Sequence, residues 1–315
     1  MEKIFITSAL RTAVGSLGKT LKNIKADELG SKIITESIAK SKLKSNEIDE
    51  VIIGQVLTGG EGQNPARQAA LKSGIPKETP AFLVNQVCGS GIRSVASGLQ
   101  SIKNGDSKVV IAGGQENMSL SPHAIDLRDR KKLVNTELID TMIKDGLWDA
   151  FNGYHMGVTA ENVAEKFQIT REEQDKFALN SHEKALDAQN QNRFRDEIVN
   201  YKIKSKKAEV NFQKDEHPRE GIDLNTLSRL KPVFKKDGTV TAGNASGIND
   251  GAAAVTLMNG STAEKKGIKK LVSIKSWASC GVEPALMGTG PIPSSKKALE
   301  LAGWNIKDVD LYEIN

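Results

Sequence analysis

The chain has 315 residues, of which 38% are hydrophobic, 26% charged and 4% aromatic, and its formal net charge is +5. These proportions exclude a disordered or collagen-like chain, and no apolar run approaches the roughly 18 residues of a membrane helix. Two cysteines far apart in sequence make neither a disulfide framework nor a metal-ligand spacing, which fits a reducing cytoplasm. The basic runs Lys202 to Lys207 and Arg128 to Lys132 lack interleaved aromatics, so they read as solvated faces and not as a nucleic-acid site.

Ile4-Phe5-Ile6-Thr7 predicts the first strand, and the polar breaks at Thr7 and Arg11 argue against a signal-peptide core. Leu29, Ile33, Ile34 and Ile38 recur at helical spacing within residues 26–41. Val51-Ile52-Ile53 is a short apolar strand ended by Gly54, and Pro65 opens a helix that runs to Ser73. Phe82-Leu83-Val84 is the next strand. Gly91 to Lys103 is the next helix, with Ile92, Val95, Leu99 and Ile102 on one face, and Val109-Val110-Ile111 is a strand closed by Gly113-Gly114. Strands apolar throughout, alternating with helices, predict an α/β fold whose parallel or mixed sheet is covered on both faces. From Ser119 to about Ala242 the chain is more charged, holds all four histidines and shows few buried strands. That stretch reads as an excursion packed over one edge of the sheet. Within it, Thr170-Arg171-Glu172-Glu173 is a capping box that opens a helix to about Gln189. The sheet pattern resumes at Ala252 to Met258.

An internal echo follows. Lys3 to Ile6, the helix at 26–41 and Glu47 to Ile52 form one unit; Leu271 to Ile274, a helix at Ser295 to Ala302 and Lys307 to Tyr312 form a shorter copy. The order matches a duplicated half. The expectation is a second half cut short, a C-terminally incomplete chain.

The sharpest chemical signal is Val84-Asn85-Gln86-Val87-Cys88-Gly89-Ser90-Gly91-Ile92. A strand runs into Cys88 and a helix begins directly after it. The free N–H groups and partial positive charge of a helix start favour a thiolate, the nucleophilic form of cysteine. Gly89 and Gly91 leave room for an incoming acyl group, and Ser90 is placed to cap the turn. Taken alone, the segment supports two readings, a nucleophilic Cys88 and a buried structural one. Cys280 follows a strand without a helix signal and reads as core filler.

This segment resembles the acyl-enzyme signature of the thiolases, in their short-chain biosynthetic type. Ser8-Ala9-Leu10-Arg11-Thr12-Ala13-Val14-Gly15, Ala112-Gly113-Gly114-Gln115-Glu116-Asn117-Met118-Ser119, Asn152-Gly153-Tyr154-His155-Met156-Gly157, Thr239 to Ala252 and Met287-Gly288-Thr289-Gly290-Pro291 are similar to that family's blocks, in its order. The decarboxylating β-ketoacyl synthases share the cysteine at a helix start but not these blocks. The resemblance implies a thiolase fold: duplicated five-stranded mixed sheets in a layered α-β-α-β-α arrangement, with an inserted loop domain and a truncated second half. Residues 1–118 and 248–268 would form the N-terminal domain, 119–247 the loop domain over the coenzyme A (CoA) site, and 269–315 the start of the C-terminal domain.

The implied activity is that of an acetyl-CoA C-acetyltransferase. Cys88 would take an acetyl group from one acetyl-CoA, and a second acetyl-CoA would condense with it to acetoacetyl-CoA and CoA; the reverse is thiolysis. Thioester exchange suits a thiolate, since one sulfur replaces another. CoA thioesters are substrates, so no cofactor and no metal are expected. Asn315 matches the Asn that holds an oxyanion-hole water in the family. The family's Gly-His-Pro histidine and Cys-Gly-Gly-Gly cysteine have no counterpart in these 315 residues. Leu147, His155, Met156, Arg219, Thr226, Phe234, Ala242 and Ser246 correspond to residues lining the CoA pocket. Arg219 suits the 3′-phosphate or adenine, the apolar residues flank pantetheine and adenine, Ser246 suits a pantetheine amide, and His155 shapes the thioester pocket. At Thr226 the family more often has Ser. Asp126 to Asn135 lacks the Lys-Met-Gly-Asp pattern of the loop that joins dimers into tetramers, so a homodimer is expected and a homotetramer stays open. Neither nucleic acid nor membrane is an expected partner. The alternatives are a catalytically incomplete CoA- or acyl-CoA-binding fragment and a 3-ketoacyl-CoA thiolase of broader chain length.

Overall fold

The computed structural model of the chain describes residues 2–127, 137–204 and 209–315. Most of the Asp126 to Asn135 stretch, all of the basic run at 128–132 and part of the run at 202–207 lie outside them. The chain divides into two compact units: Met1–Gly146, Asp187–Pro218 and Gly247–Ser273 form the first, and Leu147–Leu186, Arg219–Ser246 and Ile274–Asn315 the second.

The first unit is built on five long strands, β1 (Ile4–Arg11), β2 (Glu50–Gly54), β3 (Ala81–Val84), β4 (Val109–Asn117) and β5 (Asn249–Asn259). They lie in the order β1-β5-β4-β2-β3. β5 runs antiparallel to both β1 and β4, and β2 runs parallel to β4 and β3. The helices α1 (Ala26–Lys40), α2 (Pro65–Lys72) and α3 (Ser90–Asn104) cover this sheet. The crossover from β2 through α2 to β3 moves outward, and the one from β3 through α3 to β4 moves back. Right-handed crossovers in opposite directions place their helices on opposite faces. Side-chain parity agrees with this. A Cβ on Gly98 of α3 would meet Val110 and Ala112, whereas a Cβ on Gly30 of α1 would meet Gln115 and Ala69. Val51, Ile53, Val109 and Ile111 therefore bury against Leu29, Ile33 and Ile34 of α1, and Ala66, Ala69 and Ala70 of α2 join the same cluster. Full burial of each such aliphatic side chain contributes about 1.5–3 kcal/mol.

β1 extends four residues past the expected Ile4–Thr7, with an irregularity between Ile6 and Ser8. Thr7 and Ser8 fit the buried sheet because Thr7 Oγ1 donates to the Thr256 carbonyl at 3.3 Å and Ser8 Oγ shares a 2.8 Å hydrogen bond with Thr256 Oγ1.

The expected excursion at 119–247 is split between the units. The described residues of 119–146 and 187–218 cluster with the sheet. The physical reason lies in Arg11, whose guanidinium donates to Asp215 at 2.7 and 3.1 Å and to Glu197 at 2.8 Å. Val199 and Phe212 join the first unit's core beside it. Tyr201–Lys204 and Glu209–Phe212 pair as an antiparallel hairpin that the sequence did not announce.

The second unit holds a hairpin of Trp148–Asp149 against Tyr154–His155, then α4 (Met156–Phe167), residues 171–186 of α5 (Arg171–Asn190) and α6 (Pro291–Ala302). The Thr170 box caps α5: Thr170 N–H donates to Glu173 Oε2 at 2.7 Å, and Glu173 N–H donates to Thr170 Oγ1 at 3.2 Å. Two segments of the echoed copy differ from expectation. Val272–Ser273 extends the first sheet along β1 and starts no second sheet, because the outer edge of β1 offers free ladder groups, with Leu271 N–H reaching the Ile6 carbonyl at 2.9 Å. Lys307 to Tyr312 is a 3₁₀ turn at Ile306–Asp308 followed by extended chain; a strand exists only as one member of a ladder, and none forms there.

Candidate active site

At the end of β3 the chain makes a tight turn through Cys88 into α3. Gly89 N–H donates to the Gln86 carbonyl at 3.1 Å, and Ser90 N–H to the Val87 carbonyl at 3.0 Å. The expected capping role of Ser90 is played on the turn itself. Its Oγ accepts from Gln86 N–H at 2.8 Å and donates to the Val87 carbonyl at 2.6 Å. Asn85 Oδ1 accepts Val87 N–H at 2.9 Å. These bonds hold Val87 at φ 49, a left-handed conformation that is costly for a β-branched residue. The result is an exposed Cys88 two residues ahead of the helix. The reading of Cys88 as a buried structural residue is thereby removed.

Glycines allow the helix start to sit on the sheet. A Cβ on Gly54 would lie 2.4 Å from the Ser90 carbonyl carbon, and one on Gly114 would lie 3.6 Å from Gly91 Cα. Gly91 has open space above it. Ser94 Oγ, one turn into α3, donates to the Gly113 carbonyl at 2.7 Å. Under this platform lies Glu116, which no sequence reading singled out. Its carboxyl accepts Val56 N–H at 2.8 Å and Leu57 N–H at 3.1 Å, and burial pushes its pKa up against those two bonds. Val56 in turn offers its carbonyl to Asn85 Nδ2 at 3.5 Å.

In the second unit, His155 caps α4. Its Nδ1 accepts Gly157 N–H at 3.0 Å, which leaves the neutral ring's proton on Nε2. Burial lowers the His155 pKa, so the ring is neutral near pH 7. The ring stacks on Phe234, with centroids 4.7 Å apart and planes 18° apart. Gly157 is required beneath that stack, since a Cβ there would lie 2.2 Å from the Phe234 ring. Met156 opens α4 beside them.

Phe234, Ala242 and Ser246 lie on one irregular hairpin and turn, paired where Val233 N–H meets the Val240 carbonyl at 3.0 Å. The residues that hold it were also missed in the sequence. Glu161 of α4, almost fully buried, accepts Thr239 N–H, Val240 N–H and Thr239 Oγ1–H at 2.8–2.9 Å. Asp175 of α5 accepts Asn244 Nδ2 at 2.9 Å and Arg171 Nε at 2.8 Å. Arg219 and Thr226 are exposed on a separate segment; Arg219 N–H donates to His182 Nδ1 at 3.3 Å, and Thr226 lies in the first turn of a short helix capped by Asp223. Leu147 precedes the 148–155 hairpin, and Asn315 is exposed outside any helix or strand. Cys280, half-buried, donates its N–H to Ser294 Oγ at 3.2 Å.

Residues 4–261 match the family model described as thiolase, N-terminal domain, and residues 268–315 match that of thiolase, C-terminal domain. This chain belongs to the thiolase family. It is 56% identical over 312 residues to the acetyl-CoA acetyltransferase of Rhizobium meliloti, a match covering 99% of this chain and 79% of that relative. It is 48% identical over 316 residues to a cytosolic acetyl-CoA acetyltransferase of Rattus norvegicus, covering 100% of this chain and 80% of that one. The crystal structure of the Bacillus anthracis acetyl-CoA acetyltransferase superposes with a TM-score of 0.96 at 42% identity, covering 99% of this chain and 79% of that one. The thiolase fold expected from the sequence is therefore established, and the five long strands of the first unit form its mixed sheet.

Proposed function

We propose that this thiolase carries out acetyl-CoA C-acetyl transfer, with Cys88 as the acyl acceptor. The Cys88 thiolate attacks the thioester carbonyl of acetyl-CoA, the new C–S bond forms, and CoA leaves as a thiolate that takes up a proton. A second acetyl-CoA, deprotonated at its α-carbon, then attacks the acetyl carbonyl; a C–C bond forms and the Cys88 sulfur leaves, giving acetoacetyl-CoA. Thiolysis runs the same steps backward. The observation that carries this reading is the exposed Cys88 on its strained, hydrogen-bonded turn, in a chain about half identical to proteins named acetyl-CoA acetyltransferase.

The pocket for the CoA thioester is read on the second unit, with His155, Met156 and Phe234 against the thioester end, Ala242 and Ser246 along pantetheine, and Leu147, Arg219 and Thr226 toward the nucleotide. Asn315 is read as the residue that holds an oxyanion-hole water. We read the assembly as a homodimer. The exposed Phe82, Val87 and Ile92 support it, beside the outer edge of β3, which pairs with no other strand among the described residues. A cytoplasmic location is supported by the cytosolic rat relative and by two free thiols.

Intact-mass spectrometry after incubation with acetyl-CoA tests the chemistry. The expected result is one acetyl group on the wild-type chain and on Cys280→Ser, and none on Cys88→Ser. Acetylation of Cys88→Ser would sink the assignment of the nucleophile. CoA binding without any acetylation would favour the alternative of a CoA-binding fragment.

A further inference from the structure

The 232–246 segment carries three of the residues assigned to CoA, yet it has almost no regular structure of its own. Among the described residues its only ladder contact is the short pairing of Pro232 with Thr241, closed by the Val233–Val240 hydrogen bond. Two buried carboxylates from neighbouring helices do the holding. Glu161, 4% exposed, takes both backbone N–H groups of Thr239 and Val240 and the Thr239 hydroxyl. A Cβ on Gly238 would lie 2.2 Å from Glu161 Oε1, so that residue leaves room for the carboxylate to reach the backbone. Asp175, 3% exposed, takes Asn244 Nδ2, while Asn244 Oδ1 accepts Thr241 N–H at 2.7 Å. Arg171 completes this second anchor, donating to Asp175 and to the Leu227 and Leu230 carbonyls at 2.7 and 2.9 Å.

Helix α4 joins the two arms of the pocket. Its cap is His155, and Glu161 stands on its second turn. The hairpin that Glu161 grips returns Phe234 onto the His155 ring. One short rigid helix thus sets the spacing between the His155–Met156 end and the Phe234–Ser246 arm. Carboxylates that accept several charge-assisted bonds are strong and directional anchors, and a buried one left without its donors is costly.

We propose that Glu161, with Asp175 as its second anchor, is a positioning residue that preorganises the 232–246 arm for the CoA thioester. The inference rests on the CoA-pocket reading above and names what fixes that pocket's shape. Binding energy then need not be spent on ordering the arm.

The test uses the full chain, with CoA itself as the probe. Calorimetry on wild type, Glu161→Gln, Asp175→Asn and Thr239→Val is paired with amide hydrogen exchange over 239–246 and with the rate of Cys88 alkylation by iodoacetamide. In Glu161→Gln and Asp175→Asn, CoA affinity is expected to fall about tenfold, a shift of about 1.4 kcal/mol, with faster exchange over 239–246 and an unchanged alkylation rate. Thr239→Val removes the hydroxyl's bond to Glu161 and the one it accepts from Gln174 Nε2 at 2.9 Å, leaves both backbone N–H bonds to Glu161 in place, and is the variant least prone to misfold; a fall of about threefold is expected. Exchange that stays slow at 239–240 in Glu161→Gln overturns the positioning role whatever CoA does. Unchanged affinity in all three variants beside a wild type that binds also overturns it. A wild type that binds no CoA while exchange still rises in Glu161→Gln sinks the pocket reading and, with it, the link to CoA.

Discussion

The turn at Cys88 and the arm at 232–246 are both irregular segments that place functional groups, and they are held in opposite ways. The Cys88 turn is fixed by its own backbone, by one serine three to four residues along the chain from the groups it bonds, and by glycines that let α3 press on the sheet. Its restraints are local and largely uncharged. The 232–246 arm is fixed by carboxylates that come from positions 69 to 79 residues earlier. A backbone-and-glycine support is rigid and fails all at once when space is filled. A charged side-chain support yields in steps, one bond at a time, and responds to charge. The nucleophile sits on the first kind and the proposed substrate contacts on the second, a division that suits a fixed reacting atom and an adaptable binding arm.

The largest expected effect breaks the first kind of support. Gly54→Ala would place its methyl 2.4 Å from the Ser90 carbonyl carbon, a contact with backbone that no side-chain rotation relieves. A loss of about 3 kcal/mol is expected, read as a lowered urea midpoint at constant slope, together with an altered iodoacetamide rate at Cys88. A variant as stable as wild type would show that α3 is not seated on Gly54. Gly157→Ala makes the parallel test in the second unit. Its methyl would overlap the Phe234 ring, but the obstacle is a side chain that can swing away. The expected cost is smaller, about 1–2 kcal/mol, and comes with a weakened His155 stack. Equal losses in the two variants would erase the contrast.

How far each region was legible in the sequence follows the same division. The five long strands and helices α1 to α3 were placed from apolar periodicity and glycine stops, and the ends of α1, α2 and α3 lie within about a residue of those expected. Cys88 was found because strand, cysteine, glycine and helix are neighbours in the chain. What glycine did at Gly54, Gly114 and Gly157 was visible only as punctuation, since the atoms it makes room for belong to other elements. Glu161, Asp175 and Glu116 looked like ordinary charges on helix or strand, for nothing local distinguishes a buried carboxylate with distant amide donors from a solvated one. The same blindness to distant partners misplaced Lys307 to Tyr312, which has the residues of a strand but no ladder, and hid the grip of Arg11 on Glu197 and Asp215.

The charge sensitivity of the second unit gives a pH prediction. Burial holds the folded-state pKa of His155 below its ordinary value of about 6.5, so below that pH the unfolded chain binds more protons than the folded one. Stability from this group is therefore fully present above about pH 6.5 and declines as pH falls toward the lowered pKa. Protonation also places a hydrogen on Nδ1, which can then no longer accept Gly157 N–H. His155→Asn keeps an N-cap acceptor and removes the titration. Its melting temperature is expected to vary less than wild type between neutral and mildly acidic pH, by the equivalent of under about 1 kcal/mol. A variant with the same acid sensitivity as wild type would place the titrating group elsewhere.

The smallest effect probes the strain stored beside Cys88. Val87 holds φ 49 against the preference of its branched side chain, at a cost of about 1 kcal/mol. That strain persists because the amide of Val87 is held by Asn85 and its carbonyl by both Ser90 N–H and Ser90 Oγ–H. Asparagine adopts the left-handed region more readily than valine. Val87→Asn is accordingly expected to raise stability by about 0.5 kcal/mol. The alkylation rate at Cys88 should stay within about twofold of wild type, because the backbone bonds that aim the sulfur are untouched. A stabilised variant with an unchanged rate means that the strain is a consequence of the bonded turn and not its purpose. A stabilised variant with a much slower rate means that the valine side chain itself, exposed next to the sulfur, helps to present it.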